Sequence, residues 1–138
     1  MRPNDAAARF ATVLVRVHQV RVRRCLAALA QKQRVVNSAR SGLAGQQAAR
    51  DAHAARLKRV LALCGYDHPE AALWRYALNE HRRQDGDLCA AIHQAEQTLS
   101  AALDELSVAS ADLQREMRAR DDAVSRERTA RARARRDD

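Results

Sequence analysis

The second half of the chain carries an apolar position at alternating steps of three and four residues, without a break. Eleven of the 13 positions are apolar. A mean spacing of about 3.5 residues keeps these positions on one face of a long helix only if the helix winds slightly around a partner. The pattern therefore predicts a coiled-coil helix. Its predicted seam consists of Ala71, Trp74, Leu78, His81, Asp85, Leu88, Ile92, Ala95, Leu99, Ala102, Leu106, Ala109 and Leu113.

The first half of the chain carries a similar but weaker pattern. Nine of its 13 seam positions are apolar, and the polar ones are gathered between Gln33 and Arg50. Upstream, residues 12–23 alternate valine with arginine or histidine in places, which by itself would also suit a strand. A single strand would have no partner here, so we predict a helix. The predicted seam consists of Val22, Leu26, Leu29, Gln33, Val36, Arg40, Leu43, Gln47, Arg50, Ala54, Leu57, Leu61 and Cys64.

A tight turn is predicted close to the midpoint of the chain. Gly65 can adopt the left-handed conformation that ends a helix. Asp67 can cap the next helix with Glu70 three residues later, and Pro69 suits the first turn of that helix. At 1.5 Å per residue, the two arms of about 60 residues would each be roughly 90 Å long. Arms of equal length can fold back on one another.

These elements predict an all-α fold in which two long helices form an antiparallel coiled-coil hairpin, as a single domain over residues 1–138. Helix 1 is expected over about 5–64, the turn over 65–68 and helix 2 over about 69–128. The sequence from Ser125 onward is polar on every face of a helix. We therefore expect a flexible basic tail over residues 129–138.

The composition leaves little room for a different fold. Only 3% of the residues are aromatic, and the chain has four glycines and two prolines. This is too little bulky apolar material for a deep globular core and too few turn formers for a β-fold. Because the apolar stretches are short and broken by Arg, we expect no signal peptide and no membrane span. Three cysteines without a CxxC pair suit a reducing cytosol.

Charge distinguishes the two arms of the predicted hairpin. Residues 1–66 carry 13 Lys or Arg against two Asp, whereas residues 67–138 carry 12 against 15 acidic residues. A basic helix is expected to pair favourably with an acidic one, with the acids between Asp85 and Glu116 alongside the first arm. The arginines near both termini have no acidic counterpart in this pairing. One pole of the hairpin is therefore expected to be strongly basic.

No arrangement of residues indicates catalysis. His81, Asp85, Cys89 and His93 follow one another at four-residue steps. A straight helix rotates each of these side chains away from the last, so four such ligands cannot converge on one metal ion. No phosphate-binding loop and no hydrolase, metalloprotease or kinase motif occurs. We expect a protein that is not an enzyme and has no cofactor and no metal.

The two ends of the predicted hairpin offer surfaces for binding. The basic pole would suit nucleic acid, but arginine outnumbers lysine 23 to 2, so part of the basicity can reflect a compositional bias. At the turn, Tyr66, Trp74 and Leu78 would form an aromatic and aliphatic patch that anchors a protein partner. Trp74 and Leu78 would equally well close the last layer of the hairpin core. The two interpretations are compatible, because one helix seam cannot bury a whole indole.

The chain resembles the YscO/FliJ family of type III secretion central-stalk proteins. The features that carry the resemblance are the long α-hairpin, the midpoint Gly-Tyr-Asp-His-Pro-Glu sequence, the basic Leu/Val-rich first arm and the Arg-rich end. The resemblance covers nearly the whole chain and rests on length, topology and charge layout. It implies a non-enzymatic stalk that links a hexameric secretion ATPase to the cytosolic ring of the export gate.

The resemblance also implies partners and a location. The end with both termini would enter the pore of the ATPase, the end near the turn would meet the gate, and secretion chaperones would be further partners. The protein would be a monomer in isolation, cytoplasmic and peripheral to the inner-membrane secretion apparatus, without membrane insertion or a specific nucleic acid. The implied gate-end residues are Tyr66, Trp74, Leu78 and His81, and the implied ATPase-end residues are Arg16, Arg21, Arg23, Arg24, Arg126 and Arg128.

Two other functions fit the same sequence. The chain could be a basic coiled-coil adaptor that binds nucleic acid, or a homo-oligomeric scaffold in which the arms pair between chains. Affinity for any DNA or RNA that falls steeply with salt would indicate the adaptor. The mass in solution would distinguish the scaffold from the intramolecular hairpin.

Overall fold

The structure, a computed structural model, describes residues 2–63 and 71–138. Two helices account for nearly all of this length: α1 spans Pro3–Leu63 and α2 spans Ala71–Arg136. They pack against each other, and the described residues contain no strand. The predicted all-α fold of two long paired helices is confirmed. The predicted turn at 65–68 lies outside the described residues.

Helix α1 begins slightly earlier than predicted. The carbonyl oxygen of Arg2 accepts hydrogen bonds from the backbone N–H groups of Asp5 (3.1 Å) and Ala6 (3.2 Å). Pro3 therefore occupies the first helical position, where its missing N–H costs nothing. The carboxylate of Asp5 lies in the first turn, where it is favoured by the helix dipole.

Helix α2 continues well past its predicted end near residue 128. Beyond Leu113 the seam keeps its spacing, and Ala123 within it is almost fully buried. The end of the chain is also held to the start of α1, since the Arg2 guanidinium donates to the Asp137 carbonyl oxygen (2.6 Å) and to the Asp138 carboxylate (2.7 Å). Most of the segment for which the sequence predicts a flexible tail is thus helical. The positions that continue the seam are Glu116, Arg120, Ala123, Glu127, Ala130 and Ala134.

The predicted seam of α2 is confirmed from Trp74 to Leu113, where every position is buried or half-buried. The predicted seam of α1 is correct only at every second step. Val22, Leu29 and Val36 are buried or half-buried as expected, and so are Leu43 and Leu57. Arg50 belongs to the same series but is exposed, and Cys64 lies outside the described residues. The intermediate positions are wrong, because Leu26, Gln33, Arg40, Gln47, Ala54 and Leu61 are exposed. The residue before each of them faces inward instead: Cys25, Lys32, Ala39, Gln46, His53 and Val60.

The one-residue shift has a packing explanation. Leu26 and Leu61 are larger and more apolar than Cys25 and Val60, so residue type alone favours the wrong choice. The seam of α2 carries alanine at every seventh position from Ala95 through to residue 109, and again at 123. Small side chains bring two helix backbones close together, which favours small residues such as Cys25 and Ala39 in the facing seam and leaves Leu26 outside it. Lys32, Gln46 and His53 are not smaller than their neighbours, but they share the seven-residue repeat of Cys25 and Ala39 and therefore face the same side.

The chain divides into two compact units. The terminal unit comprises Met1–Arg34 and Asp104–Asp138, and the central unit comprises Val35–Leu103. The terminal unit buries Val15 and Val22, and the central unit buries Val36 and Ala102. Neither described helix contains an apolar stretch of the kind that spans a bilayer.

Polar contacts show an antiparallel arrangement of α1 and α2 within each unit. In the terminal unit, the Lys32 ammonium lies 2.9 Å from the Glu105 carboxylate. The Nδ1 of His18 lies 3.5 Å from the carboxylate of Glu116. In the central unit, Arg50 lies 3.4 Å from Asp85. The predicted placement of the α2 acids alongside α1 is therefore confirmed for Asp85, Glu105 and Glu116. The exposed pairs Lys32–Glu105 and Arg50–Asp85 contribute little stability, so their main effect is on register and orientation.

Candidate interaction surfaces

The six arginines that the sequence analysis assigns to the basic pole all lie in the terminal unit, and all are exposed. Within the described residues, none of the six forms an ion pair. The arginines that do pair are elsewhere on the helices: Arg2, Arg50, Arg83, Arg115, Arg120 and Arg131. The charges of the six therefore remain available to an external partner. These are Arg16, Arg21, Arg23, Arg24, Arg126 and Arg128.

The terminal unit carries almost all of the net charge of the protein. Its two segments contain seventeen Lys or Arg and ten Asp or Glu, a net charge of +7 out of +8 for the chain. Several of its acids are already occupied, as Glu105 pairs with Lys32 and Glu127 pairs with Arg131 (2.6 Å). Acids that are neutralised within the unit cannot screen the unpaired arginines. The result is a concentrated positive field on one unit.

The residues predicted for the gate end differ in exposure to solvent, and one of them is not described. Tyr66 lies outside the described residues, and Trp74 and Leu78 are half-buried. The apolar side chains most open to solvent near the start of α2 are Leu73 and Tyr76, at 62% and 71% exposure. Neither residue is among those predicted from the sequence. Both lie close to Trp74 in sequence but outside the seam. Projecting α2 down its axis, with the seam toward α1, would have placed them on the solvent side.

His81 is half-buried and forms a reciprocal contact with His53 across the two helices of the central unit. The two imidazole rings are stacked, with centroids 3.6 Å apart and planes inclined by 15°. The Nε2 of each ring lies 3.1 Å from the backbone carbonyl oxygen of the other residue. A carbonyl oxygen only accepts, so each Nε2 must carry a proton and donate it. His53 is only 3% exposed. The predicted seam passes through Ala54 instead, so the sequence pattern does not indicate His53.

The histidine pair is expected to contribute to the stability of the central unit as a coupled unit. His53→Ala and His81→Ala each remove one hydrogen bond and the ring stack. Because the stack is lost only once, the double variant should cost about 0.5–1.5 kcal/mol less than the sum of the two single variants. Urea unfolding of the four proteins, followed by circular dichroism, measures this coupling. Strictly additive costs would show that the rings do not interact.

The four-residue series of potential metal ligands on α2 is dispersed among other contacts. The His81 ring bonds the His53 carbonyl, Asp85 lies beside Arg50, and His93 lies 3.2 Å from the Gln97 amide. No group of three or more potential metal ligands occurs among the residues that the structure describes.

No family model, curated protein or solved structure matches the chain. The class of protein is therefore defined by its own structure. It is an all-α protein built from two long paired helices, with a positively charged terminal unit and exposed aromatic and aliphatic side chains at the start of α2.

Proposed function

We propose that this protein is a non-enzymatic coupling component of a type III protein secretion apparatus, which links a hexameric secretion ATPase to the cytosolic ring of the export gate. The observation that carries the proposal is the concentration of unpaired, exposed arginines in the terminal unit. A unit with a net charge of +7 suits the acidic loops of a protein ring. Long-range attraction of this kind accelerates association and orients the partner without a tight fit.

The gate end of the proposal rests on the exposed side chains near the start of α2. Aromatic residues that are exposed on one side and anchored on the other are typical centres of protein interfaces. Leu73 and Tyr76 are three residues apart and are exposed on the same face of α2, whereas the half-buried Trp74 lies on the seam side of the helix. These residues lie in the central unit, apart in sequence from the arginines of the ATPase end. Secretion chaperones are further partners in this proposal.

The test is an ATPase assay with the purified hexameric secretion ATPase of the same genome. The full chain is expected to bind the ATPase and to raise its turnover, and the affinity is expected to fall as salt is raised. Duplex DNA and single-stranded RNA are titrated against the chain in the same buffers. Steep salt-dependent binding to both nucleic acids, with no effect on the ATPase, would replace the proposal with a nucleic-acid adaptor.

Exposed arginines alone would also suit nucleic acid, but the terminal unit offers little for bases to stack on. Its single aromatic residue is Phe10. Proteins that bind single strands generally combine a positive groove with several aromatic platforms.

Sedimentation velocity tests the alternative of a homo-oligomeric scaffold. The proposed function requires the mass of a monomer, whereas the scaffold requires a multiple of it.

Shortening the aromatic side chains near the start of α2 is expected to weaken binding to the gate. Tyr76→Ala removes an exposed ring and should reduce the affinity for the cytosolic ring of the gate about tenfold, with unchanged helical content. Trp74→Ala should also weaken gate binding with the helices intact. Leu103→Ala, at another exposed position of α2, is the control and should bind normally. If Trp74→Ala unfolds the protein or leaves gate binding normal, Trp74 belongs to the core instead.

A further inference from the structure

A second apolar stripe lies on the N-terminal part of α1, outside the seam that packs on α2. Its four residues follow at steps of three, four and three, and all are exposed to a large extent. Val13 and Val17 each stand two residues from the buried Val15, which is about 200° around the helix. The stripe thus faces away from α2. It comprises Phe10 (69% exposed), Val13 (55%), Val17 (38%) and Val20 (45%).

A row of arginines runs beside the apolar stripe. Arg9, Arg16 and Arg23 follow at seven-residue steps, so they lie in one line along the helix. Arg16 is three residues from Val13 and four from Val20, which makes it a direct neighbour of both on the helix surface. All three arginines are exposed, and none forms an ion pair within the described residues.

Helix α2 extends this basic row. The Arg131 guanidinium lies 2.6 Å from the Glu127 carboxylate and donates to the Thr12 hydroxyl over 3.4 Å. Arg131 and Arg9 line a notch of about 440 Å³ beside Val13, together with Ala8 and Thr12. A shallow depression with two arginines at its edge therefore lies beside the stripe within the terminal unit.

We propose that this stripe docks an acidic amphipathic helix of a partner protein. The alternation of three and four residues is the spacing at which a coiled-coil partner helix inserts its side chains. The row of arginines would pair with Asp or Glu along the adjoining flank of the apolar seam of that helix. The stripe spans about 15 Å, which corresponds to three helical turns and to a weak, reversible contact.

A membrane surface fits the stripe less well. Helices that lie in the interface of a bilayer present a broad apolar face, often with Trp, Phe and Leu. The stripe is only two residue columns wide and consists of three valines and one phenylalanine, which is the narrow form of a coiled-coil seam.

A second copy of this chain also fits the stripe poorly. The most exposed apolar residue of α2 in the terminal unit, Val108, has Asp104 and Ala111 as its neighbours along the outer face and no continuous stripe.

The test uses a synthetic helical peptide of about three heptads, with Leu at alternating three- and four-residue spacing and Glu on both flanks. A second peptide carries Lys in place of Glu. Fluorescence anisotropy measures the binding of each peptide to the full chain. The acidic peptide is expected to bind at least about tenfold more tightly than the basic one. The variant Val13→Ser/Val17→Ser should weaken its binding by about tenfold or more.

Control variants separate docking on the stripe from unspecific attraction. Leu103→Ser/Val108→Ser changes two exposed apolar residues of α2 and should leave peptide binding unchanged. Equal loss in both double variants would overturn the proposal, as would equal binding of the two peptides. The proposed coupling function does not depend on this result, because its assay is the ATPase.

Two further measurements distinguish an acidic partner helix from the two other binding partners of the stripe, a membrane and a second copy of this chain. Co-sedimentation with vesicles of phosphatidylglycerol and phosphatidylcholine that is lost in Val13→Ser/Val17→Ser would assign the stripe to a membrane and overturn the proposal. Self-association that the same variant abolishes would assign it to a second copy and would also overturn it. The proposal is supported if the protein is a monomer, does not bind the vesicles, and binds the acidic peptide through the stripe.

Discussion

Replacing Val36 with aspartate is expected to unfold the central unit or to destabilise it by about 3–5 kcal/mol, because a buried carboxylate there has no partner. Val36 is 0% exposed and is the most deeply enclosed side chain of the described core. A loss of this size is a large part of the whole stability of a small protein. Urea unfolding followed by circular dichroism measures the shift of the midpoint.

Val35→Asp is the matched control for this experiment. Val35 is the same residue type in the same helix, one position away, but it is 40% exposed. The two variants make the same change in charge and in helix propensity, so their difference reports burial alone. Val35→Asp should cost less than about 1 kcal/mol. Equal effects of the two variants would show that the seam does not pass through Val36.

Reversing the charge of the exposed arginines on α1 is expected to abolish the stimulation of the secretion ATPase that the proposed function requires. Changing Arg16, Arg21, Arg23 and Arg24 together to Glu converts the net charge of the terminal unit from +7 to about −1. The affinity for the ATPase should fall by more than about 100-fold at low salt. The helical content should be retained, because these side chains are exposed and glutamate is as good a helix former as arginine.

A second quadruple variant controls for total charge. Arg40, Arg56, Lys58 and Arg59 are exposed residues of α1 in the central unit, and changing them to Glu alters the charge of the chain by the same amount. This variant should stimulate the ATPase almost normally. If both quadruple variants lose stimulation to the same extent, the interaction depends on the overall charge and not on the terminal unit.

The sequence was most informative where its periodicity had only one interpretation. On α2 the spacing from Trp74 to Leu113 allowed one seam, and the structure follows it. On α1 two alternations shared Val22, Leu29 and Val36 and differed by one residue in between. Residue type favoured the alternation through Leu26, Ala54 and Leu61, whereas the structure follows the one through Cys25, His53 and Val60. Because the predicted seam passed through Ala54, the stacking of His53 on His81 was not predicted.

The two ends of the chain show other limits of prediction. The polar segment after Ser125 offered no apolar face, yet it is helical, because Ala123 and the small residues after it let α2 keep its contact with α1. The alternation of valine and arginine over residues 12–23 resembled a strand. In the helix, Val15 faces α2 whereas Val13 and Val17 face away from it. Valines spaced two residues apart therefore lie on opposite sides of α1, one in the core and the others in the outer stripe.

The most direct measurement of the central claim is the mass of a mixture of this protein, the hexameric secretion ATPase and the cytosolic ring of the export gate. Analytical ultracentrifugation of the three components should show a complex that contains all of them and that disperses when this protein is left out. A protein that bound only one of the two rings at a time, or neither of them, would contradict the proposed coupling function.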